Sequence, residues 1–127
     1  MVSGRVADPE SVVVRFNEGI NGRDLDCLAH LMTDDHVFID SAGSRVDGRQ
    51  PCLAAWRGFF RAYPDYRNEF ASIVSASGDA VAVSGRSFCS EPALDGPALW
   101  TARVREGQVC EWRVYEDTPE TRARIGL

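Results

Sequence analysis

The stretch LWTARVREGQVCEWRVYED, residues 99–117, contains the pattern that decides the fold. Apolar and polar side chains alternate on both sides of Glu106-Gly107, which is typical of two antiparallel strands joined by a tight turn. One set of alternating positions is apolar and contains Trp100, Ala102, Val104, Cys110, Trp112 and Val114. The other set is polar, so we expect the apolar set to face the core of a half-buried sheet.

Glu116 occupies the last position of that apolar set. A carboxylate on an apolar face requires an explanation, because burying its charge is costly. Two interpretations remain open. Either the end of the strand is exposed to water, or the apolar row lines a cavity and Glu116 lies at its mouth.

The segments before this hairpin predict helices first and strands afterwards. Apolar residues recur at helical spacing over residues 8–21, 24–32 and 48–63. Strands are predicted at residues 36–40, 66–75, 80–89, 99–105 and 108–116, and a short closing helix is predicted after Thr118. Helices segregated from a run of antiparallel strands indicate an α+β fold with the helices on one face of the sheet.

The orientation of two further polar residues depends on which face of their strand turns inward. Residues 37–39 are all apolar, so the strand does not decide its own orientation. If Phe38 faces the core, Asp40 faces it too, because side chains alternate along a strand. In the same way, an inward Phe88 would bring Arg86 inward, where it would neutralise a carboxylate. The alternative for Arg86 is an exposed cation.

Length, composition and charge set limits on the class of protein. The chain has 127 residues, of which 44% are hydrophobic, and a net charge of −5 from 19 acidic and 14 basic side chains. We therefore expect a single domain over residues 1–127 with enough apolar material for one core. An acidic chain without a basic stripe repels phosphate backbones, so we expect no nucleic-acid partner.

The cysteines and histidines do not have the spacing of metal ligands. The four cysteines are Cys27, Cys52, Cys89 and Cys110, and no two of them form a Cys-x-x-Cys pair. We expect them to be free, buried thiols. His30 is expected on the surface and His36 at the start of a strand. The sequence predicts neither a metal nor a cofactor.

The ends and the apolar stretches of the chain bear on its location. Residues 1–10 contain neither an apolar run nor a cleavage site, which predicts that there is no signal peptide. No stretch approaches the length of a membrane span, so we expect no membrane partner. A cytoplasmic location is the resulting expectation.

Seven short segments together resemble the superfamily named for nuclear transport factor 2, which includes ketosteroid isomerase and the SnoaL-like polyketide cyclases. The matching segments are residues 15–16, 22–26, 31–35, 37–40, 48–49, 63–65 and 114–117. Their order and spacing are fairly specific for the fold and much less specific for the reaction. The resemblance implies a cystatin-like cone, in which a curved antiparallel sheet wraps around three N-terminal helices and encloses a pocket.

The resemblance also assigns roles to individual residues. It implies that Asp40 occupies the position of the isomerase's catalytic base and that Trp56 is a pocket aromatic. Phe16 falls where the isomerase has its oxyanion-binding tyrosine, and Trp100 falls near its proton-donating aspartate. Because phenylalanine has no hydroxyl and tryptophan is not an acid, ketosteroid isomerase activity itself is not expected. Related cyclases and hydrolases use acids on the last strands, which keeps Glu116 as a candidate, with Asp117 as the alternative.

These observations lead to one hypothesis and its alternatives. The hypothesis is a cofactor-independent acid–base enzyme of the isomerase, cyclase or hydrolase type, with Asp40 and Glu116 as catalytic residues. Its expected substrate is a small hydrophobic, cyclic or polyketide-like carbonyl compound held in an apolar pocket. The expected substrate-binding residues are Phe16, Phe38, Trp56, Phe60, Arg86, Trp100 and Trp112. The alternative is a non-catalytic module of the same fold that binds small molecules or serves in dimerisation, since fold does not fix function. We also expect a homodimer through the outer, polar face of the sheet.

Overall fold

The computed structural model describes residues 8–75 and 78–127. Residues 1–7, part of the segment predicted to contain no signal peptide, and Ser77 of the predicted turn lie outside the described residues. The described α-helices and strands, in chain order, are α1 (Pro9–Asn21), α2 (Leu25–Leu31), β1 (Met32–Ile39), β2 (Arg45–Asp47), α3 (Arg49–Ala62), β3 (Arg67–Ser75), β4 (Ala80–Phe88), β5 (Gly96–Arg105), β6 (Gln108–Glu116) and α4 (Pro119–Ile125), and a short 3₁₀ helix (Pro92–Leu94) precedes β5. The predicted helices and strands are therefore present, and β1 begins four residues earlier than expected.

The strands form one curved, unclosed sheet in the order β2-β1-β6-β5-β4-β3. The helices α1, α2 and α3 pack against it, so the predicted α+β cone is confirmed. One pairing differs from the antiparallel sheet that we expected, because β1 runs parallel to β6. After β1 the chain passes through α3 and the strands β3, β4 and β5, and it then returns as β6, which runs beside β1 in the same direction. A hairpin could not produce this pairing, because the two strands of a hairpin are antiparallel.

Local sequence signals explain where the first two helices begin. Asp8 caps α1 by accepting a hydrogen bond from the backbone N–H of Ser11 at 3.1 Å, and Pro9 fits the first helical position. Asp24 caps α2 in the same way, with the N–H of Cys27 at 3.0 Å. The apolar stripe of α1 is fully buried and consists of Val12, Val13, Phe16 and Ile20. The stripe holds α1 against the concave face of the sheet.

The alternation of side chains breaks once in β6. Val104 pairs with Val109 and Arg103 pairs with Glu111, so Cys110 is an extra residue between the two pairs. Such a bulge reverses the facing of the residues before it. Val109 is therefore fully buried and Cys110 is only partly buried, which corrects the predicted inward position of Cys110. Residues after the bulge keep the predicted orientation.

His36 lies in the middle of β1 and is fully buried, not at the start of a strand as expected. Its ring stacks on Phe16, with 5.6 Å between the ring centroids. Nδ1 lies 2.7 Å from the carbonyl oxygen of Val109, so this nitrogen carries a proton and donates. No group among the described residues hydrogen-bonds to Nε2. Burial lowers the pKa of His36 below its ordinary value of 6.5.

The neutral state of His36 predicts acid sensitivity. Because the pKa of His36 is lower in the folded chain than in the unfolded chain, the unfolded chain binds more protons below pH 6.5. The contribution of neutral His36 to stability is therefore complete above that pH and is lost as the pH falls toward the folded-state pKa. His36→Asn keeps a donor for Val109 but does not titrate. We expect the free energy of unfolding of the variant to fall less than that of the wild type between about pH 7.5 and 5.

Urea denaturation at a series of pH values measures this difference. His30→Asn is the matched control, because His30 is exposed in the folded chain. Equal pH dependence in the wild type and His36→Asn would contradict the assignment.

Gly85 of β4 lies where the chain passes close to β3. A Cβ atom at this position would be 2.1 Å from the carbonyl oxygen of Glu69. The register of β3 and β4 shifts at this point, between the pairs Phe70–Gly85 and Ser72–Ser84. The absence of a side chain therefore permits the bulge that bends β3 over the core.

Two glycine-to-alanine variants test this requirement. We expect Gly85→Ala to lower the free energy of unfolding by about 1–3 kcal/mol, because backbone must move to accommodate the methyl group. Gly58→Ala is the control, since Gly58 is exposed in α3 and its Cβ would contact nothing within 4 Å. The control should gain up to about 1 kcal/mol from helix propensity. Urea denaturation measures both, and equal effects would show that Gly85 is not constrained.

Candidate active site

A cavity of about 390 Å³ opens between α3 and the β1–β6 end of the sheet. Its walls are mostly apolar, and the aromatic residues among them are Phe38, Trp56, Phe59, Tyr66 and Trp112. Phe38 meets Trp56 edge to face, with ring centroids 5.6 Å apart and planes at 67°. A space of this size and lining has the dimensions of a small-molecule site.

Asp40 lies in the wall of this cavity, directly after β1. Phe38 pairs in register with Trp112, and both face the interior, so Asp40 also faces it by alternation. One carboxylate oxygen, Oδ1, accepts hydrogen bonds from the backbone N–H groups of Ala42 at 2.9 Å and Ser44 at 3.0 Å. Within the described part of the chain, no group donates to the other oxygen, Oδ2. The loop therefore fixes the carboxylate and leaves one oxygen available to a ligand.

Two predicted wall residues have different relations to the cavity. Trp56 is 7% exposed and lines it. Phe60 packs behind Trp56, with ring centroids 5.5 Å apart, and is not part of the cavity wall. Phe60 thus supports the wall that Trp56 forms.

Phe16 and Trp100 are buried in the core, away from this cavity. Phe16 is fully buried beneath Trp112, with ring centroids 4.6 Å apart. Trp100 packs against Phe70 at 5.3 Å. Both face inward as predicted, but the interior at their depth is filled by side chains, so they do not reach the open space.

Glu116 lines a second cavity, of about 380 Å³, which adjoins the first. The residues that belong to both walls are Ser41, Tyr66, Leu94 and Val114. Glu116 itself is exposed, so Asp40 and Glu116 lie on two neighbouring spaces and not in one. Both interpretations of Glu116 hold in part, because it is exposed to water and also lies at the rim of a cavity.

Asp117, the alternative acid, is held by an ion pair. Its two carboxylate oxygens accept hydrogen bonds from Arg122 at 2.6 and 2.9 Å. These bonds hold the pKa of Asp117 below its ordinary value. Of these two acids, only Asp117 forms an ion pair with an arginine in the described chain, and Glu116 forms none.

Arg86 lies on the outer face of the sheet, which corrects the proposed inward position. The inward side of β4 is taken by Val81, Val83 and Ser87, all buried. Arg86 instead forms an ion pair with Asp95 at 3.1 Å and lies over the ring of Phe88. It therefore neutralises Asp95 in the wall of the second cavity, and it contacts neither Asp40 nor Glu116.

A chain of buried polar side chains that the sequence analysis missed ends at the shared wall of the two cavities. Tyr66 is 8% exposed, and its hydroxyl lies 3.3 Å from Oγ of Ser87. Ser87 donates to Asn68 at 2.7 Å, and Asn68 donates to Asn17 at 3.3 Å. The signal was Asn17, a polar residue beside the apolar stripe of α1. Burial raises the pKa of the Tyr66 phenol, so it stays protonated.

Other classes of site find little support in the described residues. Among residues 8–75 and 78–127, no three His, Cys, Asp or Glu side chains cluster in a way that would hold a metal ion. The cysteines are free thiols, as predicted, but only Cys52 is buried, and Cys27, Cys89 and Cys110 are partly exposed. No helix in the same part of the chain is both long and apolar enough to cross a membrane.

Comparison with known structures shows that this fold is shared by several solved proteins. IdmH from Streptomyces antibioticus, a candidate polyketide cyclase, aligns with a TM-score of 0.72 and 22% identity over 95% of this chain and 100% of that chain. An epoxide hydrolase of the LEH-like type from M. tuberculosis aligns with a TM-score of 0.75 and 20% identity over 88% of this chain and 84% of that chain.

A candidate SnoaL-like polyketide cyclase from Jannaschia aligns with a TM-score of 0.73 and 20% identity, over 97% of this chain and 94% of that chain. At these identities the likeness concerns the fold alone. No protein with a curated description matches the sequence. The sequence model of the SnoaL-like domain matches residues 13–112, from the buried stripe of α1 to Trp112 in the cavity wall. The chain therefore belongs to the SnoaL-like domain family.

Proposed function

We propose that this protein is a cofactor-independent acid–base enzyme that acts on a small hydrophobic, cyclic carbonyl compound. The observation that carries the proposal is the carboxylate of Asp40 in the wall of an aromatic-lined cavity. Two backbone N–H groups hold one of its oxygens, so the other is positioned to meet a bound ligand. A positioned carboxylate is a suitable general base.

The proposed step is the removal of a proton next to a carbonyl group. Asp40 accepts the proton through Oδ2, the C–H bond breaks, and its electron pair moves into the carbonyl group to give an enolate. Glu116, in its protonated form at the rim of the adjoining cavity, donates a proton to the enolate oxygen to give the enol, and water then takes the proton from Asp40 and reprotonates Glu116. Neither half of the step requires a metal or a redox cofactor, because only protons move.

The walls of the cavity support the choice of substrate. Rings on three sides favour a flat hydrophobic molecule, since aromatic side chains bury large apolar areas and stack on flat partners. A volume of about 390 Å³ suits a molecule of two or three fused rings. The names of the structural neighbours, candidate polyketide cyclases and an epoxide hydrolase, agree with a small organic substrate.

A non-catalytic binding module is the second candidate function. Phe16 has no hydroxyl and is buried under Trp112, so this position offers no donor to an enolate oxygen. A site without such a donor binds a carbonyl compound more readily than it transforms it.

Hydrogen–deuterium exchange distinguishes the two candidates. The probe is 2-tetralone in deuterated buffer, followed by proton NMR at the carbon between the carbonyl and the ring. We expect the protein to accelerate exchange and Asp40→Asn to reduce the acceleration by about 100- to 10,000-fold. Asparagine keeps an oxygen for Ala42 and Ser44, so the loop should stay in place.

The control variant is Asp79→Asn, which removes an acid at the far end of the sheet, where it pairs with Arg103. It should leave exchange unchanged. Binding of the probe without any exchange in the wild type would favour the binding module. Exchange that survives Asp40→Asn unchanged would exclude Asp40 as the base.

We also propose a homodimer in a cytoplasmic setting, through the outer face of the sheet. That face carries Arg103, Arg105, Glu111 and Arg113, which would make the contact partly polar. Part of this charge is already paired within the chain, since Arg105 lies 2.6 Å from Asp35. We expect sedimentation at micromolar concentration to give twice the monomer mass, and Thr101→Glu on the same face to give monomer. A wild type that sediments only as a monomer would exclude the dimer.

A further inference from the structure

The buried polar side chains inside the cone donate hydrogen bonds to one another in a fixed order, and a backbone carbonyl group sets this order. Asn21 holds the backbone of Asn68 with two bonds, accepting from its N–H at 2.8 Å and donating to its C=O at 2.9 Å. The side chain of Asn17 donates to the same carbonyl at 3.3 Å. A carbonyl only accepts, so the amide nitrogen of Asn17 must face it and the amide oxygen must face away.

This orientation propagates to Tyr66. The oxygen of Asn17 accepts from the side-chain nitrogen of Asn68, so the oxygen of Asn68 faces Ser87. Ser87 gives its one hydroxyl proton to that oxygen at 2.7 Å. The contact between Tyr66 and Ser87 therefore leaves Tyr66 as the donor.

The phenol of Tyr66 then has no proton to offer a ligand. Its hydrogen points at Ser87, so in any further hydrogen bond its oxygen can only accept. Tyr66 lines both cavities, and Ser87 lines the second one. The ring is held by Phe59, edge to face at 4.8 Å, and the backbone carbonyl by Arg23 at 2.6 Å. A buried network of this kind resists reorientation, because each bond broken would leave an unsatisfied group.

We propose that Tyr66 acts as a fixed hydrogen-bond acceptor, which makes the site selective for ligands that carry a hydroxyl group on an aromatic or cyclic framework. This inference rests on the proposed function for the location of the ligand. The rings of the first cavity hold the framework, and the hydroxyl donates to Tyr66 at the shared wall. A ligand that offers only an acceptor there would face lone pairs and lose the bond.

A pair of probes isolates this bond. The probes are 2-naphthol and 2-methoxynaphthalene, which share a ring system but differ in the hydrogen-bond donor. Their affinities are measured by quenching of tryptophan fluorescence and expressed as a ratio. We expect Tyr66→Phe to lower the preference for naphthol by about five- to tenfold relative to the wild type, through weaker binding of naphthol. The hydrophobic difference between the probes cancels in this comparison.

Ser87→Ala tests whether Tyr66 donates its hydrogen bond to Ser87. Without Ser87 the phenol proton is free to turn toward the ligand, so methoxynaphthalene should bind more tightly than in the wild type. Tyr63→Phe is the control, because Tyr63 contacts Phe59 but does not line either cavity. It should leave the ratio unchanged.

The possible results separate this inference from the proposed function. A ratio that Tyr66→Phe leaves unchanged, or that Asp40→Asn lowers instead, would overturn the role of Tyr66 while leaving the cavity and the base in place. Failure of both probes to bind would overturn both the ligand site and this inference. If Asp40→Asn loses tetralone exchange but keeps the wild-type ratio of naphthol to methoxynaphthalene affinity, the result would support Asp40 as the base and Tyr66 as an independent acceptor.

Discussion

The parallel pairing of β1 with β6 is the constraint on which the site depends. It sets Phe38 opposite Trp112, and both rings then face the interior. Because side chains alternate, Asp40 faces the same space two residues later. A shift of one residue in this pairing would turn the carboxylate to solvent and an aliphatic side chain into the cavity. The position of the acid is thus a result of strand register, and the loop after β1 only fixes its orientation.

The interior of the cone has two different regions. Near Phe16 and Trp100 the helices and the sheet meet closely, and the side chains fill the space. Near the end of β1 the helix α3 presents Trp56 at an angle to Phe38, and a cavity remains. The buried polar side chains from Asn17 to Tyr66 hydrogen-bond to one another. Nε2 of His36 has no partner in the described chain, and burial lowers the pKa of His36.

The sequence predicts the fold well because the fold depends on local patterns. Caps such as Asp8 and the alternation of residues 99–117 are short-range signals, and they place the helices and the last hairpin correctly. The failures arise where long-range packing decides. The alternation of apolar and polar residues does not reveal the bulge at Cys110. In β4, Ser87 faces inward, where it hydrogen-bonds to Asn68, and the neighbouring Phe88 therefore faces outward. The parallel pairing of β1 with β6 likewise cannot be predicted from local sequence, because the two strands are far apart in the chain.

The polar chain also limits the chemistry that this site can carry. If Tyr66 can only accept, the donor to an enolate oxygen must come from elsewhere, and Phe16 does not supply it. Ser41 and Glu116 line the adjoining cavity, where water also reaches, so the stabilisation they offer is weaker than that of a dry oxyanion site. Such a site suits a substrate whose C–H bond is already acidic, for example a carbon between two carbonyl groups. In that case the second oxygen of the substrate shares the charge, and a single positioned carboxylate is enough to remove the proton.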